Sequence, residues 1–222
     1  QAEDGIRDVL GGLVGSEMCI RDREYLAQYQ QHILHRSRFN RGTTHMSVAD
    51  RLGNVASLTV SNGEGCGHVI PGTGIMLNNM LGEEDLCPEG FFNWPENRRI
   101  SSMMSPTLFL KENKPIAALG SGGSNRIRSA IVQAISNYID FGMAADDSVN
   151  APRIHWENNH LDVEPGYDLN IIDRLELPGN AEKIYWSAQN MYFGGVHAVF
   201  KDKNGRIEAA GDSRRVGATR SF

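Results

Sequence analysis

Apolar and polar residues alternate along six short stretches of the chain, the pattern expected of strands that bury one face. Short polar or glycine-containing turns join these stretches in pairs and predict three β-hairpins, namely Thr43–Asp50 with Asn54–Val60, Thr107–Leu110 with Ile116–Leu119, and Val196–Phe200 with Ile207–Ala210. In the first of these strands Met46 and Val48 lie on one face. Thr43, His45 and Ser47 lie on the other, so the first hairpin has a polar face that begins at Thr43.

A period of three to four residues, typical of helices with one apolar side, marks three further stretches. They are Glu24–Arg38, Asn125–Phe141 and Gly166–Leu177, and a single helical turn is expected over Asp146–Asn150. Residues 86–100 contain two prolines and no apolar period, which predicts a loop. Hairpins interspersed with amphipathic helices indicate an α+β fold.

Composition and charge exclude several classes of protein. The chain has 222 residues, enough for one sizeable domain, and its 40% hydrophobic and 22% charged residues are ordinary for a globular protein. A net charge of −5 argues against non-specific binding to nucleic acid. No apolar run approaches the roughly 20 residues that a membrane span needs. Cys19, Cys66 and Cys87 are odd in number and lack the spacing of a metal site, so they predict neither a disulfide scaffold nor a zinc centre.

Gly42 followed by Thr43, at the start of the polar strand face, is the first candidate for chemistry. A threonine hydroxyl inside a chain has no base of its own. Cleavage of the Gly42–Thr43 peptide bond would give Thr43 a free α-amino group with a pKa of about 8, placed to accept the proton of its own hydroxyl. His45 lies about 6–7 Å further along the strand, too far for direct proton transfer, which favours a structural role. Taken alone, however, Gly42 and Thr43 favour an ordinary strand start.

Four other polar stretches are candidates for binding or catalysis, each with an alternative. The loop 61–67 is rich in glycine but lacks the lysine of a phosphate-binding loop, so we interpret it as a tight binding loop. The carboxylates at 83–85 fit either a metal site or a solvated turn, and the serine pair at 101–102 by itself favours a polar turn. Gly120, Gly122 and Gly123 precede a predicted helix. Backbone N–H groups at such a place can bind an anion or stabilise an oxyanion, and a simple strand-to-helix turn is the alternative.

Four segments, in order along the chain, carry a resemblance to a known family: Thr43–Val48, Gly72–Asn79, Ser101–Thr107 and Gly120–Ile127. They resemble the small subunit of γ-glutamyltransferases, or glutathione hydrolases, and Asn150–Arg153 is also typical of that family. The resemblance covers about residues 24–222. It implies the four-layer αββα sandwich of N-terminal-nucleophile hydrolases, here partial because the large-subunit portion is missing, and it implies no metal or organic cofactor.

The resemblance also implies roles for residues of this chain. Thr43 would become the N-terminal nucleophile after cleavage at Gly42–Thr43, and Ser61 would hydrogen-bond its hydroxyl. Gly122 and Gly123 would stabilise the oxyanion. The implied substrate is a γ-glutamyl compound such as glutathione. Asn62 is implied to contact the substrate. Glu83 or Glu84 would bind its α-ammonium group, and Ser101 with Ser102 would bind its α-carboxylate.

Two departures from the family pattern leave other functions open. Met80 stands where many members carry glutamine or glutamate, which fits a related acylase that takes glutaryl or cephalosporin-type amides. The expected partner, the large-subunit portion of the same precursor with its carboxylate-binding arginine, is absent from this chain, and we do not expect Arg98 or Arg99 to replace that arginine. A non-catalytic binding fragment is the third possibility.

The expected organisation has three parts. Residues 1–23 resemble the translation of a sequencing adapter and are expected to be non-native. Residues 24–42 are expected to be the tail of the large subunit before the cleavage point, and residues 43–222 the catalytic small-subunit domain. Members of the family are commonly periplasmic or secreted, which is the compartment that the resemblance suggests.

Overall fold

The computed structural model describes residues 42–63, 65–83, 85–90, 93–202 and 204–222. Its strands are β1 (Thr43–Ala49), β2 (Val55–Ser61), β3 (Thr107–Lys111), β4 (Lys114–Gly122), β5 (Ile154–Glu157), β6 (His160–Val163), β7 (Glu182–Tyr185), β8 (Gly195–Lys201) and β9 (Ile207–Gly211). Its α-helices are α1 (Arg126–Ile139), α2 (Ala145–Asn150) and α3 (Leu169–Asp173). Short 3-10 helices occupy Met80–Gly82, Met191–Phe193 and Ser213–Arg215.

The described strands form three sheets. β1 and β2 form a two-stranded antiparallel sheet, and a four-stranded antiparallel sheet has the order β3-β4-β8-β9. The third sheet has the order β5-β6-β7, with β6 and β7 parallel. Helices α1 and α2 pack on the four-stranded sheet, and β1 and β2 pack on its strand β4.

Alternation along β4 explains why a helix and a second sheet are able to pack on its two faces. Leu119 joins the main core cluster with Ile127 and Ala130 of α1. Gly120, the next residue, points the opposite way, and a Cβ atom there would lie 2.4 Å from the His45 ring. The absence of a side chain at Gly120 therefore lets β1 approach the sheet closely, with His45 only 3% exposed between the two layers.

The β1–β2 hairpin has a polar inner face and an apolar outer face. On the inner face, Ser57 donates a hydrogen bond to the Leu119 carbonyl of β4 at 3.0 Å. The outer face is exposed and apolar, and its large side chains are Met46, Val48, Leu58 and Val60. This reverses the usual arrangement of a half-buried antiparallel sheet, in which the apolar face is covered.

The three hairpins and the long helix predicted from the sequence are confirmed, with ends that differ by up to three residues. The helix predicted over Gly166–Leu177 is wrong in extent, because α3 covers only Leu169–Asp173. Asp168 caps its first turn, and Ile172 is its one buried residue. With one side chain anchored in a small cluster, packing does not support a longer helix.

The sheet β5-β6-β7 is not predicted by the sequence pattern. Each of its strands has four residues, and Leu161, Asp162 and Val163 of β6 are all buried. The alternation that would indicate a strand with one buried face is therefore missing from β6.

Three further expectations concern loops and helices. The loop predicted at 86–100 is confirmed, since residues 86–90 and 93–100 contain no helix or strand. The helix predicted at Glu24–Arg38 lies outside the described residues, as do residues 1–23. In the described part of the chain, no helix has both the length and the apolar character needed to cross a membrane.

Candidate active site

Thr43 and Ser61 meet at the open end of the β1–β2 hairpin. Because Thr43 is the first residue of β1 and Ser61 is the last of β2, the register places them opposite each other. Their hydroxyl oxygens lie 2.9 Å apart, which is hydrogen-bond distance. Ser61 Oγ also accepts the Gly63 N–H at 3.1 Å, which fixes the orientation of the serine side chain. The hairpin thus brings a second, oriented hydroxyl to Thr43.

The Gly42–Thr43 peptide bond is held by the loop that follows β2. Gly42 donates its N–H to the Gly63 carbonyl at 3.2 Å and accepts the Asn62 N–H at 3.4 Å. A Cβ atom at Gly42 would lie 1.8 Å from Asn62 Oδ1, so a larger residue does not fit without moving the loop. The side chain of Asn62 therefore packs against the expected cleavage site.

The glycine pair at the end of β4 lies beside Thr43. A Cβ atom at Gly122 would be 3.0 Å from the Thr43 carbonyl oxygen and 3.3 Å from Thr43 Cβ. Gly123 has a φ of +136°, and a Cβ atom there would be 2.8 Å from Gly194 Cα. Both positions favour glycine because a Cβ atom would be too close to a neighbour, and Gly122 thereby lies against the backbone of the candidate nucleophile.

An open cavity of about 380 Å³ adjoins Thr43. Five of the residues expected in the site line it, namely Thr43, Ser61, Glu83, Ser102 and Gly123. The other described lining residues are Gly63, Met80, Gly82, Asp85, Leu86, Met103, Met104, Ser124 and Ile127. The structure therefore gathers residues from five separate segments around one volume large enough for a small substrate.

The charged side chains among the described lining residues are both acidic. The Glu83 carboxylate lies close to the loop after β2, since a Cβ atom at Gly63 would be 3.0 Å from Glu83 Oε1. Asp85 accepts a hydrogen bond from the Ser124 hydroxyl. The cavity is therefore suited to a cationic group. In the described part of the chain, no group of three or more His, Cys, Asp or Glu residues is arranged to hold a metal ion.

The serine pair at 101–102 and the arginine pair at 98–99 contribute only one residue to the cavity lining. Ser101 is exposed and does not line the cavity, whereas Ser102 lines it and accepts the Met104 N–H at 3.1 Å. Arg98 and Arg99 are exposed, and neither lines the cavity. Glu84 lies outside the described residues. The roles of the two serines and two glutamates in substrate binding stay predictions.

His45, two residues after Thr43 in β1, lies between the two sheet layers and is held by hydroxyl groups. Its Nδ1 lies 2.7 Å from Thr59 Oγ1 and its Nε2 lies 2.9 Å from Ser47 Oγ. Burial, with a smaller contribution from repulsion by His197, lowers the pKa of His45 to about 4. The ring is therefore neutral at neutral pH, and its place in a hydrogen-bonded network fits a structural role.

This buried histidine predicts a pH-dependent stability. Between pH 6.5 and 4 the unfolded chain protonates His45 while the folded chain does not, so the unfolded state binds more protons and stability falls as the pH falls. From pH 7 to pH 5 we expect the free energy of unfolding to drop by up to about 2 kcal/mol from this residue. Urea unfolding at both pH values should show a smaller drop for His45→Gln, and an equal drop would contradict the assignment.

Two features that border the site are missed by the sequence interpretation. The hydrogen bond from Ser124 to Asp85 ties the residue after Gly123 to the acidic loop. The guanidinium group of Arg215 lies against the glycine pair, since a Cβ atom at Gly122 would be 3.3 Å from its Nη1. Neither contact has a local sequence signal, because the partners are far apart in the chain.

Comparison with known proteins identifies the family to which this arrangement belongs. The family model described as gamma-glutamyltranspeptidase matches residues 17–222. The chain belongs to the gamma-glutamyltranspeptidase family. The resemblance carried by the four motifs is thereby confirmed.

Curated relatives of this gamma-glutamyltranspeptidase family member include glutathione hydrolases and acylases. The glutathione hydrolase proenzyme of Bacillus subtilis (strain 168) is 32% identical over 200 residues, which cover 88% of this chain and 33% of the relative. The acylase ACY 1 proenzyme of Pseudomonas sp. (strain SE83) is 34% identical over 170 residues, covering 76% and 30%. The chain therefore spans about a third of the length of these relatives.

A solved structure supports the fold. A crystal structure of a Helicobacter pylori gamma-glutamyltranspeptidase mutant is 31% identical, has a TM-score of 0.64, and is matched over 77% of this chain and 99% of the solved chain. The expected partial sandwich of N-terminal-nucleophile hydrolases is confirmed. Helices α1 and α2 supply one helical layer, and the four-stranded sheet and the β1–β2 hairpin supply the two sheet layers.

Proposed function

We propose that this chain is the catalytic small-subunit part of an enzyme that hydrolyses or transfers γ-glutamyl groups, with Thr43 as its nucleophile. The observation that carries the proposal is the position of Thr43. Its hydroxyl lies 2.9 Å from Ser61 Oγ, its backbone packs against Gly122, and it borders a cavity of about 380 Å³. Relatives named glutathione hydrolase proenzyme support the same reaction.

The first step of the proposed mechanism is cleavage of the chain by Thr43 itself. Thr43 Oγ attacks the Gly42 carbonyl carbon, and the hydroxyl proton passes to the Thr43 nitrogen as the C–N bond breaks. The resulting ester is hydrolysed by water, which leaves a carboxylate on Gly42 and a free amine on Thr43. The Asn62 N–H, 3.4 Å from the Gly42 carbonyl oxygen, lies where negative charge develops in this step.

The second step is acyl transfer to the liberated residue. The Thr43 amine accepts the hydroxyl proton as Oγ attacks the γ-amide carbonyl of the substrate, and it returns a proton to the departing amine. N–H groups at Gly122 and Gly123 stabilise the oxyanion. The γ-glutamyl ester on Thr43 is then released by water or by the amino group of an acceptor.

The charge of the cavity supports a γ-glutamyl substrate. Glu83 would pair with the α-ammonium group, with Glu84 as the alternative. Ser102, which lines the cavity, would bind the α-carboxylate together with Ser101. A substrate that carries only a carboxylate would instead face two acidic side chains without a compensating ammonium group.

The proposed partner is the large-subunit portion of the same precursor. The curated relatives are named proenzymes, and the chain covers 33% of one and 32% of another. The exposed apolar outer face of β1–β2, with Met46 and Leu58 at its centre, is suited to being covered by another layer. We propose that the large-subunit portion covers this face.

Intact-mass measurement and N-terminal sequencing test the proposal. For protein expressed from the full-length gene we expect a fragment that begins at Thr43, and release of aniline from a γ-glutamyl anilide by the cleaved protein. An uncut chain that binds glutamate in calorimetric titration without turnover would contradict the proposal and support a non-catalytic binding module.

An acylase that takes glutaryl or cephalosporin-type amides is the second candidate, and the lining of the cavity favours it at one position. Met80 lines the cavity beside Met103 and Met104, and a thioether is a weak acceptor for an ammonium group. The ACY 1 relative, at 34% identity, shows that the family includes acylases. A kcat/KM for a γ-glutamyl anilide above that for the glutaryl anilide supports the first proposal, and the reverse order supports the acylase.

A further inference from the structure

Ser121 is completely buried beside the glycine pair, with 0% of its surface exposed. Its Oγ accepts the Gly195 N–H at 3.1 Å and lies 2.9 Å from the Gly122 carbonyl oxygen. An N–H group is only a donor, so the single hydroxyl proton of Ser121 remains for the Gly122 carbonyl. The serine therefore joins the first residue of β8 to the last residue of β4 through one hydroxyl.

The carbonyl oxygen of Gly122 lies beside Gly194, where it accepts the buried hydrogen bond from Ser121. A Cβ atom at Gly194 would lie 3.1 Å from the Gly122 oxygen and 3.2 Å from Ala130 Cβ, so this oxygen lies on the side of the sheet that α1 covers. In a planar trans peptide the C=O and N–H groups point in opposite directions. The N–H of Gly123 in the same peptide therefore points away from Gly194, and Gly123 lines the cavity that adjoins Thr43.

A peptide between two glycines needs an external restraint to keep one orientation. Neither Gly122 nor Gly123 has a Cβ atom to restrict its backbone, and Gly123 already has a φ of +136°. Rotation of this peptide would turn the Gly123 N–H away from the cavity and leave one donor fewer for an oxyanion. The hydrogen bond from Ser121 opposes that rotation from the buried side.

We propose that Ser121 is a positioning residue, whose hydroxyl fixes the Gly122–Gly123 peptide so that the Gly123 N–H faces the acyl carbonyl at Thr43. The inference rests on the proposed function, which gives this N–H a transition state to stabilise. Loss of one oxyanion donor lowers kcat by about 10²–10³. Loss of its restraint misplaces the donor for part of the time, so we expect kcat to fall about 10- to 100-fold.

The first test needs no turnover. In ¹⁵N NMR spectra of the full chain, Ser121→Ala should shift and broaden the Gly123 amide signal and speed its hydrogen exchange. The matched control is Ser148→Ala, because Ser148 is 1% exposed and donates a comparable hydrogen bond, to Ala145 O at 2.8 Å, in α2 and away from the cavity. A Gly123 signal that is unchanged in Ser121→Ala, or equally changed in both variants, would overturn the proposal.

The second test separates positioning from general stability. With a γ-glutamyl anilide, Ser121→Ala should lower kcat about 10- to 100-fold with KM changed less than about twofold, whereas Ser148→Ala should leave both constants unchanged. If Ser121→Ala does not fold, Ser121→Cys, whose thiol is somewhat larger and a weaker donor and acceptor, should give a smaller fall in kcat. Wild-type kcat in a folded Ser121 variant would overturn the inference. A wild-type protein without turnover would refute the proposed function. The NMR signal and hydrogen exchange of the Gly123 amide would still show whether Ser121 fixes the orientation of the peptide.

Discussion

Replacement of Thr43 by alanine is expected to abolish both cleavage of the precursor bond and turnover of γ-glutamyl amides. Alanine retains the backbone but has no hydroxyl to attack Gly42 or a substrate. Ser61 Oγ, 2.9 Å from the lost hydroxyl, is not a substitute because it is not on the residue that gains the free amine. We expect an uncut chain by intact mass and a fall in turnover of at least about a thousandfold, measured by release of aniline.

Thr43→Ser is the matched control for this experiment. Serine keeps both the hydroxyl and the α-amine after cleavage and loses only a methyl group. We therefore expect a cut chain and activity within about tenfold of wild type. An alanine variant that is still cut between residues 42 and 43, or that turns over substrate at the wild-type rate, would show that Thr43 is not the nucleophile.

The pairing of Thr43 with Ser61 agrees with the hairpin pattern, although the predicted strand ends at Val60 and only the family resemblance implies the contact. The turn at Arg51–Gly53 sets the centre of the hairpin, and counting outward from it pairs Thr43 with Ser61. Alternation then assigns both side chains to the inner face, where the structure has them. The polar face that begins at Thr43 is therefore predicted from the hairpin pattern, whereas the role of Ser61 comes from the resemblance.

The approach of Gly122 to Thr43 has no local signal. It depends on the stacking of two sheets. The ring of His45 occupies the space that a side chain at position 120 would need, so glycine there allows the sheets to approach. Only the resemblance of ordered motifs indicated that these segments belong to one site. The same holds for Ser121, whose hydrogen bond to Gly195 joins segments 74 residues apart.

A buried network of four charged side chains contacts β8, the strand that pairs with β4 and its glycine pair. Arg153 Nη2 lies 2.6 Å from Asp212 Oδ2, Arg214 donates to both Glu164 and Asp212, and all four residues are buried. Asp212 also accepts the Val196 N–H of β8 at 2.8 Å. Burial lowers the pKa of the Arg153 guanidinium despite the attraction of Asp212. Removal of this carboxylate would therefore leave buried positive charge without compensation.

Asp212→Asn is expected to reduce the free energy of unfolding by about 3–5 kcal/mol. The amide keeps the shape of the side chain but removes one of two negative charges that face Arg153 and Arg214. The control is Glu182→Gln, whose partner His160 lies 3.8 Å away in an exposed pair and whose loss should cost about 0–1 kcal/mol. Urea unfolding at pH 7 compares the two. If the Asp212 and Glu182 variants have the same free energy of unfolding, the charged network does not hold β8 in place. Other contacts, such as the hydrogen bond between Ser121 and Gly195, would then position β8.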